Sequence, residues 1–296
     1  MILVLAGCLP ELPILEDPCG EFPSEGPYVL HVDTPDGRRR KAIVDVPPGE
    51  GPRDIAVAMH GAVESANEFR GVTELHRRSV DADEPWVSAF PQGRGTFFRV
   101  WNAGTCCGSV DEQNDDVDDV GFLELLAKTL RERTCGRDVA ALGFSNGAMM
   151  AHRWGCEGDQ VDAVVAVAGP LMTEPPTCEG PARPVLHVHG LADTHVPFDG
   201  GPSSGPGGNI YPPMDETLNL WRTRNACSNL PDVEIPVGLT TCFEADCATP
   251  TGLCTIEGWD HRWPGGIHAG GTALDQSSEA MAWMREALGE STEPSR

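Results

Sequence analysis

One stretch, residues 139–154 (VAALGFSNGAMMAHRW), constrains the fold more than any other part of the chain. A short apolar run is followed by Gly-Phe-Ser-Asn-Gly and then by residues that favour a helix, which predicts a strand, a tight turn and a helix. Gly143 and Gly147 lack the Cβ atoms that would collide where such a turn brings backbone segments together. The pattern therefore predicts that Ser145 lies at the apex of the turn, a position typical of a catalytic nucleophile.

A second Gly-x-Ser-x-Gly sequence occurs at residues 201–205, inside the run GGPSSGPGG. No strand pattern precedes this match and no helix pattern follows it, and its Gly and Pro residues are typical of a loop. A glycine-rich chain matches the bare motif by chance, so the surrounding pattern decides between the two. We interpret Ser203 as a loop residue and Ser145 as the candidate nucleophile.

Short apolar strands alternate with helical patterns along the rest of the chain. Most of the strands are continuous apolar runs, which predicts an α/β fold with a mainly parallel central sheet flanked by helices. A chain of 296 residues fits one large domain at 27–289, preceded by an arm at 1–26 and followed by a tail at 290–296. Strands are predicted at 28–33, 41–46, 55–59, 86–90, 139–144, 161–168, 184–189 and 254–257, and helices at 120–133, 148–154, 212–224 and 277–288.

Charge and cysteine content restrict the environment and the partners of the protein. A net charge of −24 argues against nucleic acid and anionic membrane surfaces as partners. Ten of the eleven cysteines, all but Cys8, form an even set, which predicts at least three disulfides and an oxidising compartment. The absence of a C-x-x-C sequence disfavours a zinc site. Closeness in sequence suggests the pairs Cys156–Cys178, Cys227–Cys242 and Cys247–Cys254.

The N-terminal sequence Leu5-Ala6-Gly7-Cys8 is similar to the lipobox of bacterial lipoproteins. No Lys or Arg precedes Arg38, and the apolar stretch is short, so either the chain begins inside a longer signal or the similarity is accidental. We favour the clipped export signal, which predicts a secreted or cell-envelope protein with Cys8 as a candidate lipid anchor. Residues 9–26, rich in Pro, Glu and Gly, indicate a tether or N-terminal arm.

Two clusters of potential metal ligands are better explained without a metal. The acidic run 111–119 lacks the Gly and the terminal Glu of an EF-hand loop, and Asp118 and Asp119 stand where they would cap the helix at 120–133. His187 and His189 share one face of a strand, but no third ligand is evident. We therefore expect no metal site.

The residues that would activate Ser145 follow later strands. A serine nucleophile needs a histidine base held by an acid, in the chain order Ser, Asp or Glu, His. Asp193 follows the strand at 184–189 in the sequence HGLADTHVP, with Asp199 as a second candidate. His195 lies too near Asp193 to reach the serine.

Two histidines in the C-terminal part of the chain remain candidates for the base. His261 directly follows the predicted last strand, whereas His268 lies in the Gly-rich stretch GIHAGG. Position along the chain favours His261 but leaves both open.

Six motifs in order, HGAVESA, WNAGTCCG, VDDVGFL, GFSNGAMMA, HGLAD and DHRWPGG, resemble the secreted esterases grouped with polyhydroxybutyrate depolymerases, feruloyl esterases and acetylxylan esterases. The resemblance extends over residues 28–288 and implies an α/β-hydrolase fold. In that family the catalytic histidine is followed by one residue and then by Trp-Pro-Gly. The sequence His261-Arg262-Trp263-Pro264-Gly265 matches this pattern. The implied triad is Ser145, Asp193 and His261.

The resemblance also implies roles for residues around the triad. The backbone N–H groups of Asn146 and Ala62 would form the oxyanion hole. Relatives often have a cysteine at the position of Ala62, so a disulfide usual in the family is expected to be absent. Trp101 and Trp263 would form apolar walls beside the site or pack in the interior.

Taken together, the sequence predicts an exported, monomeric serine carboxylesterase that uses no cofactor and forms an acyl-enzyme. Its expected substrate is a polymeric or polymer-derived ester, with a hydroxyalkanoate polymer, a feruloylated or acetylated polysaccharide and a synthetic polyester all open. The rivals are a serine peptidase on the same fold and a non-catalytic surface lipoprotein.

Overall fold

The computed structural model describes residues 9–23, 26–95, 99–106, 117–173, 178–205, 208–271 and 275–289. Ten strands form one sheet with helices on both faces, which confirms the predicted α/β architecture. Two further strands of two residues each, β8 and β9, pair only with each other. The strands are Tyr28–Asp33 (β1), Arg39–Asp45 (β2), Arg53–Met59 (β3), Trp86–Pro91 (β4), Gly136–Phe144 (β5), Ala163–Val167 (β6), Val185–Gly190 (β7), Gly201–Pro202 (β8), Ile210–Tyr211 (β9), Val233–Val237 (β10), Thr240–Glu244 (β11) and Thr251–Ile256 (β12).

The order of strands in the sheet is β1-β2-β4-β3-β5-β6-β7-β12-β11-β10. The six central strands, from β4 to β12, run parallel, and an antiparallel pair extends the sheet at each edge. All parallel strands end at the same edge, so the loops that follow them meet there. This edge is where open α/β sheets carry their ligand sites.

Helices cover the two faces of the sheet in groups of three. Side chains of α3, α4 and α5 pack with one core cluster, and those of α1, α2 and α6 pack with the other. Side chains of β3 and β5 alternate between the two clusters, as the period of two in a strand requires. The helices are Ala66–Thr73 (α1), Leu75–Val80 (α2), Asp119–Thr134 (α3), Asn146–Glu157 (α4), Met214–Arg224 (α5) and Gln276–Ala287 (α6), with a 3₁₀ turn at Gly266–Gly271.

The elements predicted from sequence are present within a few residues of their expected ends, but six other helices and strands and the 3₁₀ turn were missed, the two-residue strands β8 and β9 among them. The helices α1 and α2 and the hairpin β10–β11 carry no clear periodic pattern. All five residues of β10 are exposed, and Pro236 lies within it, which an edge strand tolerates because one of its sides has no partner strand. A pattern search for buried strands therefore does not find it.

The N-terminal arm packs on the sheet and does not lead away from it as a tether would. Leu12 and Phe22 are buried in the core cluster that faces α3 and α4. The Leu12 N–H donates to the Val29 carbonyl at 2.8 Å. A disulfide joins Cys19 to Cys135 at the end of α3. Residues 9–23 are thus held both by packing and by a covalent bond.

Four disulfides lie within the described ranges, which confirms the prediction of at least three. The predicted pair Cys156–Cys178 is present. The other two predicted pairs are wrong, because the bonds are Cys227–Cys247 and Cys242–Cys254. Residues 242 and 254 lie directly opposite each other on β11 and β12, and this antiparallel register was not evident from closeness in sequence.

The interior of the domain contains neutral imidazoles as well as apolar side chains. His60, His152, His187 and His189 are at most 1% exposed. Burial lowers the pKa of His60 to about 4 and that of His152 to about 3. Burial also lowers the pKa of His187 and of His189. Within the same described residues, no helix has the length and apolar character needed to cross a membrane.

We expect the free energy of unfolding to fall as the pH decreases from about 6.5 towards 4. The unfolded chain takes up protons on its histidines below about pH 6.5, whereas the folded protein keeps the buried rings neutral. His60 and His152 alone would remove about 4 kcal/mol of stability between pH 7 and pH 5. Glu64 and Asp162, whose pKa values are raised mainly by burial, act in the opposite direction and reduce the total loss.

Urea unfolding at pH 7, 6 and 5, at constant ionic strength, measures this effect. A free energy of unfolding that stays constant over that range would contradict the burial of neutral histidines.

Candidate active site

Ser145 lies between β5 and α4 in an unusual backbone conformation, with φ of 54° and ψ of −121°. Its N–H donates to the Val167 carbonyl of β6 at 2.9 Å. Its own carbonyl accepts from Ala148 and Met149 in the first turn of α4, at 2.9 and 3.1 Å. These bonds fix the backbone of the turn on both sides, so the strained conformation is held by the sheet and by the helix.

The turn requires two glycines because backbone segments approach each other closely there. A Cβ on Gly147 would lie 2.1 Å from the carbonyl oxygen of Met59 at the end of β3. A Cβ on Gly143 would lie 2.0 Å from the carbonyl oxygen of Gly147. Either side chain would push α4 away from the sheet, so both glycines of the motif are needed to seat Ser145.

Three side chains from separate loops are joined by hydrogen bonds at the C-terminal edge of the sheet. The Ser145 hydroxyl lies 2.9 Å from His261 Nε2, and His261 Nδ1 lies 2.6 Å from Asp193 Oδ2. A carboxylate only accepts, so Nδ1 carries the ring proton and Nε2 accepts from the serine hydroxyl. Ser145 follows β5, Asp193 follows β7 and His261 follows β12, so the parallel strands bring the three together.

Asp193 is buried and held in one orientation. Its Oδ1 accepts from the backbone N–H groups of His195 and Val196, at 2.8 and 2.9 Å. Burial by itself would raise the pKa of this carboxyl group. The hydrogen bond and charge of His261, together with the backbone N–H of Val196, outweigh burial and lower the pKa. The carboxylate therefore stays ionised beside the imidazole.

The structure also locates the residues that the sequence left as alternatives. His268 lies in the 3₁₀ turn at Gly266–Gly271, and among the residues described here His261 is the imidazole within hydrogen-bonding distance of Ser145 Oγ. His195 packs its ring edge-on against His261 at 5.2 Å between centroids, and Asp199 is not the carboxylate that His261 contacts. The Ser203 hydroxyl donates to the His195 carbonyl at 2.6 Å, which agrees with its interpretation as a loop residue.

The loop after β3 and the start of α4 each present a backbone N–H near Ser145. In the described part of the chain, the N–H groups of Ala62 and Asn146 have no hydrogen-bond acceptor. The preceding Gly61 N–H differs, because it donates to Glu64 Oε2 at 2.9 Å. A Cβ placed on Gly61 would lie 3.5 Å from Ser145 Cβ, so this loop passes directly beside the serine.

His60, which sequence reasoning did not single out, orients this loop. The Gly93 N–H donates to His60 Nε2 at 3.0 Å, so the ring proton is on Nδ1, which donates to the Gly61 carbonyl at 2.7 Å. That carbonyl and the Ala62 N–H belong to the same planar peptide group. The neutral imidazole therefore sets the direction in which the Ala62 N–H points.

The two tryptophans expected beside the site are buried, with Trp101 0% and Trp263 1% exposed. Neither indole is accessible to a substrate, so both serve packing. The Trp101 indole N–H donates to the His60 carbonyl at 2.9 Å, and its backbone forms two hydrogen bonds with the Asn146 side chain, at 2.7 and 3.1 Å. Trp263 donates to Ser277 Oγ at 2.9 Å.

A buried ion pair between Arg40 and Asp119 lies next to the segment that carries Trp101, and sequence reasoning had predicted Asp119 as a helix cap. Asp118 caps α3 as predicted, by accepting from the Gly121 N–H at 2.7 Å. Asp119 does not act as a cap, because its carboxylate is buried between Arg40 and the Asn102 N–H, each at 2.7 Å. The pair anchors the segment that carries Trp101. Residues 111–116 of the acidic run lie outside the described residues.

The sheet order, the serine turn and the hydrogen-bonded side chains define a serine hydrolase of the α/β-hydrolase fold. No family model matches the chain. Among solved structures, the acetyl xylan esterase from Aspergillus awamori is similar, with a TM-score of 0.59 and 13% identity over 86% of this chain and 98% of that one. At this identity the likeness supports the fold.

Two curated proteins are similar in sequence. "Putative esterase NocK" of Nocardia uniformis subsp. tsuyamanensis is 32% identical over 260 residues, which cover 78% of this chain and 72% of that protein. "Probable feruloyl esterase C" of Aspergillus flavus is 28% identical over 192 residues, covering 62% of this chain and 64% of that protein. The chain belongs to the esterase family that includes the Nocardia protein, and it is a carboxylic ester hydrolase.

Proposed function

We propose that this esterase is an exported, monomeric enzyme in which Ser145, His261 and Asp193 act as the catalytic triad. The observation that carries the proposal is the unbroken series of hydrogen bonds from the serine hydroxyl through the imidazole to a buried, ionised carboxylate. A serine hydroxyl becomes a useful nucleophile only when a base accepts its proton, and this arrangement supplies the base with its orienting acid.

In the acylation step, Ser145 Oγ attacks the ester carbonyl carbon while His261 Nε2 takes the hydroxyl proton. Negative charge develops on the carbonyl oxygen, and the Ala62 and Asn146 N–H groups donate to it. Because the His60 ring and the Asn146 side chain fix this region, the donors do not have to reorganise as the charge forms. His261 then gives the proton to the leaving alcohol, and the acyl group stays on Ser145.

In the deacylation step, water replaces the alcohol. His261 accepts a proton from the water as its oxygen attacks the acyl carbon, and it returns the proton to Ser145 when the acid leaves. Asp193 stabilises the imidazolium that forms in both steps, and its carboxylate is ionised as this role requires. Water, the serine and the protein groups suffice for the cycle.

We also propose that the natural ester is polymeric or derived from a polymer. The Aspergillus relative is named as a feruloyl esterase, which gives a feruloylated polymer as one candidate. Exposed apolar side chains stand on three loops that follow the ends of parallel strands, namely Val63 at 50%, Leu191 at 45% and Ile267 at 58% exposed. Exposed apolar side chains on loops at this edge of the sheet suit a long polymer chain as the substrate.

Ser145→Ala should abolish hydrolysis of short p-nitrophenyl esters, and His261→Ala should lower kcat by at least about a thousandfold, because triad members act as one unit. The measurement is steady-state hydrolysis at neutral pH, with circular dichroism to verify the fold. Peptide anilides, assayed beside the esters, should remain uncleaved, which separates an esterase from a peptidase on the same fold.

Ser203→Ala and His268→Ala are the matched controls, since they alter the second serine motif and the second candidate base. Both should change kcat only modestly. Loss of activity in either control, with Ser145→Ala or His261→Ala still active, would overturn the triad.

For the substrate, at least one of four polymers should release its acid: polyhydroxybutyrate, a feruloylated polysaccharide, an acetylated polysaccharide or a synthetic polyester. Leu191→Ser and Ile267→Ser should each slow polymer hydrolysis about fivefold, since each loses about 1 kcal/mol of apolar contact. Val237→Ser, a similarly exposed valine on β10, should leave polymer hydrolysis unchanged. Hydrolysis of small esters alone, with none of the polymers attacked, would count against a polymeric substrate.

The disulfides support export, because such bonds persist in oxidising compartments. We propose residues 1–26 as an export signal with its arm, Cys8 as a lipid anchor, residues 27–289 as the catalytic domain and residues 290–296 as a tail. In the described part of the chain nine of the eleven cysteines are disulfide-bonded, Cys106 among them, so the denatured, unreduced protein should give at most two free thiols. Nearly ten free thiols would contradict export, and release of Cys8→Ser from the cell envelope would support the anchor.

A further inference from the structure

Three buried imidazoles form one hydrogen-bonded line through the core. His152 of α4 has its Nε2 atom 3.3 Å from Nδ1 of His187 on β7. His187 Nε2 is in turn 3.0 Å from Nδ1 of His189, two residues later on the same strand. The three side chains are 0%, 0% and 1% exposed, and none belongs to the triad. We call this line the imidazole chain.

At one end of the imidazole chain the hydrogen-bond partner can only donate, and at the other end it can only accept. At the first end, the Trp221 indole N–H of α5 donates to His152 Nδ1 at 3.0 Å. At the other end, His189 Nε2 lies 2.8 Å from the Val196 carbonyl, which only accepts. A donor at one end and an acceptor at the other force a single arrangement. Every ring carries one proton, on Nε2, and every bond points from Trp221 towards Val196.

An additional proton has no place in this arrangement. If one ring became an imidazolium, both of its nitrogens would donate, and one of them would meet the N–H of a neighbouring donor. Burial lowers the pKa of all three rings, which agrees with three neutral imidazoles. The chain is therefore a fixed, uncharged series of dipoles, and it moves no proton.

The imidazole chain ends at the base of the loop that holds Asp193. Val196, whose carbonyl accepts from His189, also donates its own N–H to Asp193 Oδ1 at 2.9 Å. His189 Nε2 lies 3.7 Å from Asp193 Oδ2, the oxygen that accepts from His261. The other end of the chain starts on α4, the helix that begins directly after Ser145. The chain thus connects the helix of the nucleophile with the loop of the acid.

We propose that the imidazole chain is a positioning device for Asp193, an inference that rests on the triad proposed above. The N–H donated by His187 fixes the tautomer of His189, and the His189 N–H in turn fixes the Val196 carbonyl and faces the carboxylate. If His189 adopted the other tautomer, a nitrogen lone pair would face the carbonyl and the carboxylate, leaving both without this donor in a buried site. Asp193 would then hold His261 less firmly.

The wild-type protein gives the first test, by NMR with ¹⁵N-labelled histidine at neutral pH. We expect His152, His187 and His189 all as neutral rings protonated on Nε2, and a slowly exchanging proton on His261 Nδ1 bonded to Asp193. A ring of the chain found protonated on Nδ1, or charged, would overturn the proposal. This readout needs no turnover, so it tests the imidazole chain independently of the proposed catalytic triad.

The second test interrupts the imidazole chain at its central ring, His187, which does not contact Asp193. His187→Leu should lower kcat about tenfold with KM nearly unchanged, give His189 a mixture of tautomers and accelerate exchange of the His261 Nδ1 proton. Trp221→Phe removes only the first donor and should have a smaller effect, of about two- to threefold, in the same direction. Trp221→Phe is the variant that tests the proposal if His187→Leu fails to fold.

Trp154→Phe is the matched control, because Trp154 is also a fully buried indole and donates its N–H to Glu124 at 2.6 Å, outside the chain. It should lower the melting temperature about as much as Trp221→Phe while kcat and the tautomers stay as in the wild type. If His187→Leu and Trp221→Phe both lower the melting temperature but leave kcat and the tautomers unchanged, the imidazole chain contributes only packing. That result would overturn the proposal. Loss of activity in Ser145→Ala, measured in parallel, reports separately on the triad.

Discussion

The site depends on how closely α4 approaches the end of β3. Residue 147 has no side chain, and a Cβ there would lie 2.1 Å from the Met59 carbonyl oxygen. This contact seats the first turn of α4 against the sheet, which leaves Ser145 at the apex of the turn with φ of 54°. The same approach brings the Asn146 N–H beside the loop that follows β3, where the Ala62 N–H lies. One steric condition thus sets both the nucleophile and the proposed oxyanion donors.

Around this contact, buried neutral imidazoles orient backbone groups that loops alone would leave free. His60 fixes the peptide group that contains the Ala62 N–H, and His189 fixes the Val196 carbonyl next to the Asp193 loop. In both cases a ring with one proton has a donor on one nitrogen and an acceptor on the other, so its orientation is determined. Such rings cost stability at acid pH, since they must stay neutral, but they hold loop geometry inside an otherwise apolar core.

The sequence was informative where a residue pattern is local. The elbow around Ser145, the order of Asp193 and His261 after strands, and most apolar strands follow from short motifs and periodicity. The sequence did not predict contacts between residues far apart in the chain, because these contacts depend on how distant elements pack together. The partner of Cys242 depends on the register of β11 with β12, and the role of Asp119 depends on Arg40, 79 residues earlier. The contact of His152 with His187 likewise exists only once α4 has packed on the sheet.

The proposed mechanism depends most directly on Ser145 as the nucleophile. A serine-directed phosphonate that carries a p-nitrophenolate leaving group tests it directly, with intact mass spectrometry and peptide mapping. We expect one adduct per protein molecule, on the peptide that contains Ser145, with release of one equivalent of p-nitrophenolate and complete loss of esterase activity. Labelling of another serine, or full esterase activity in a protein that the probe does not modify, would contradict it.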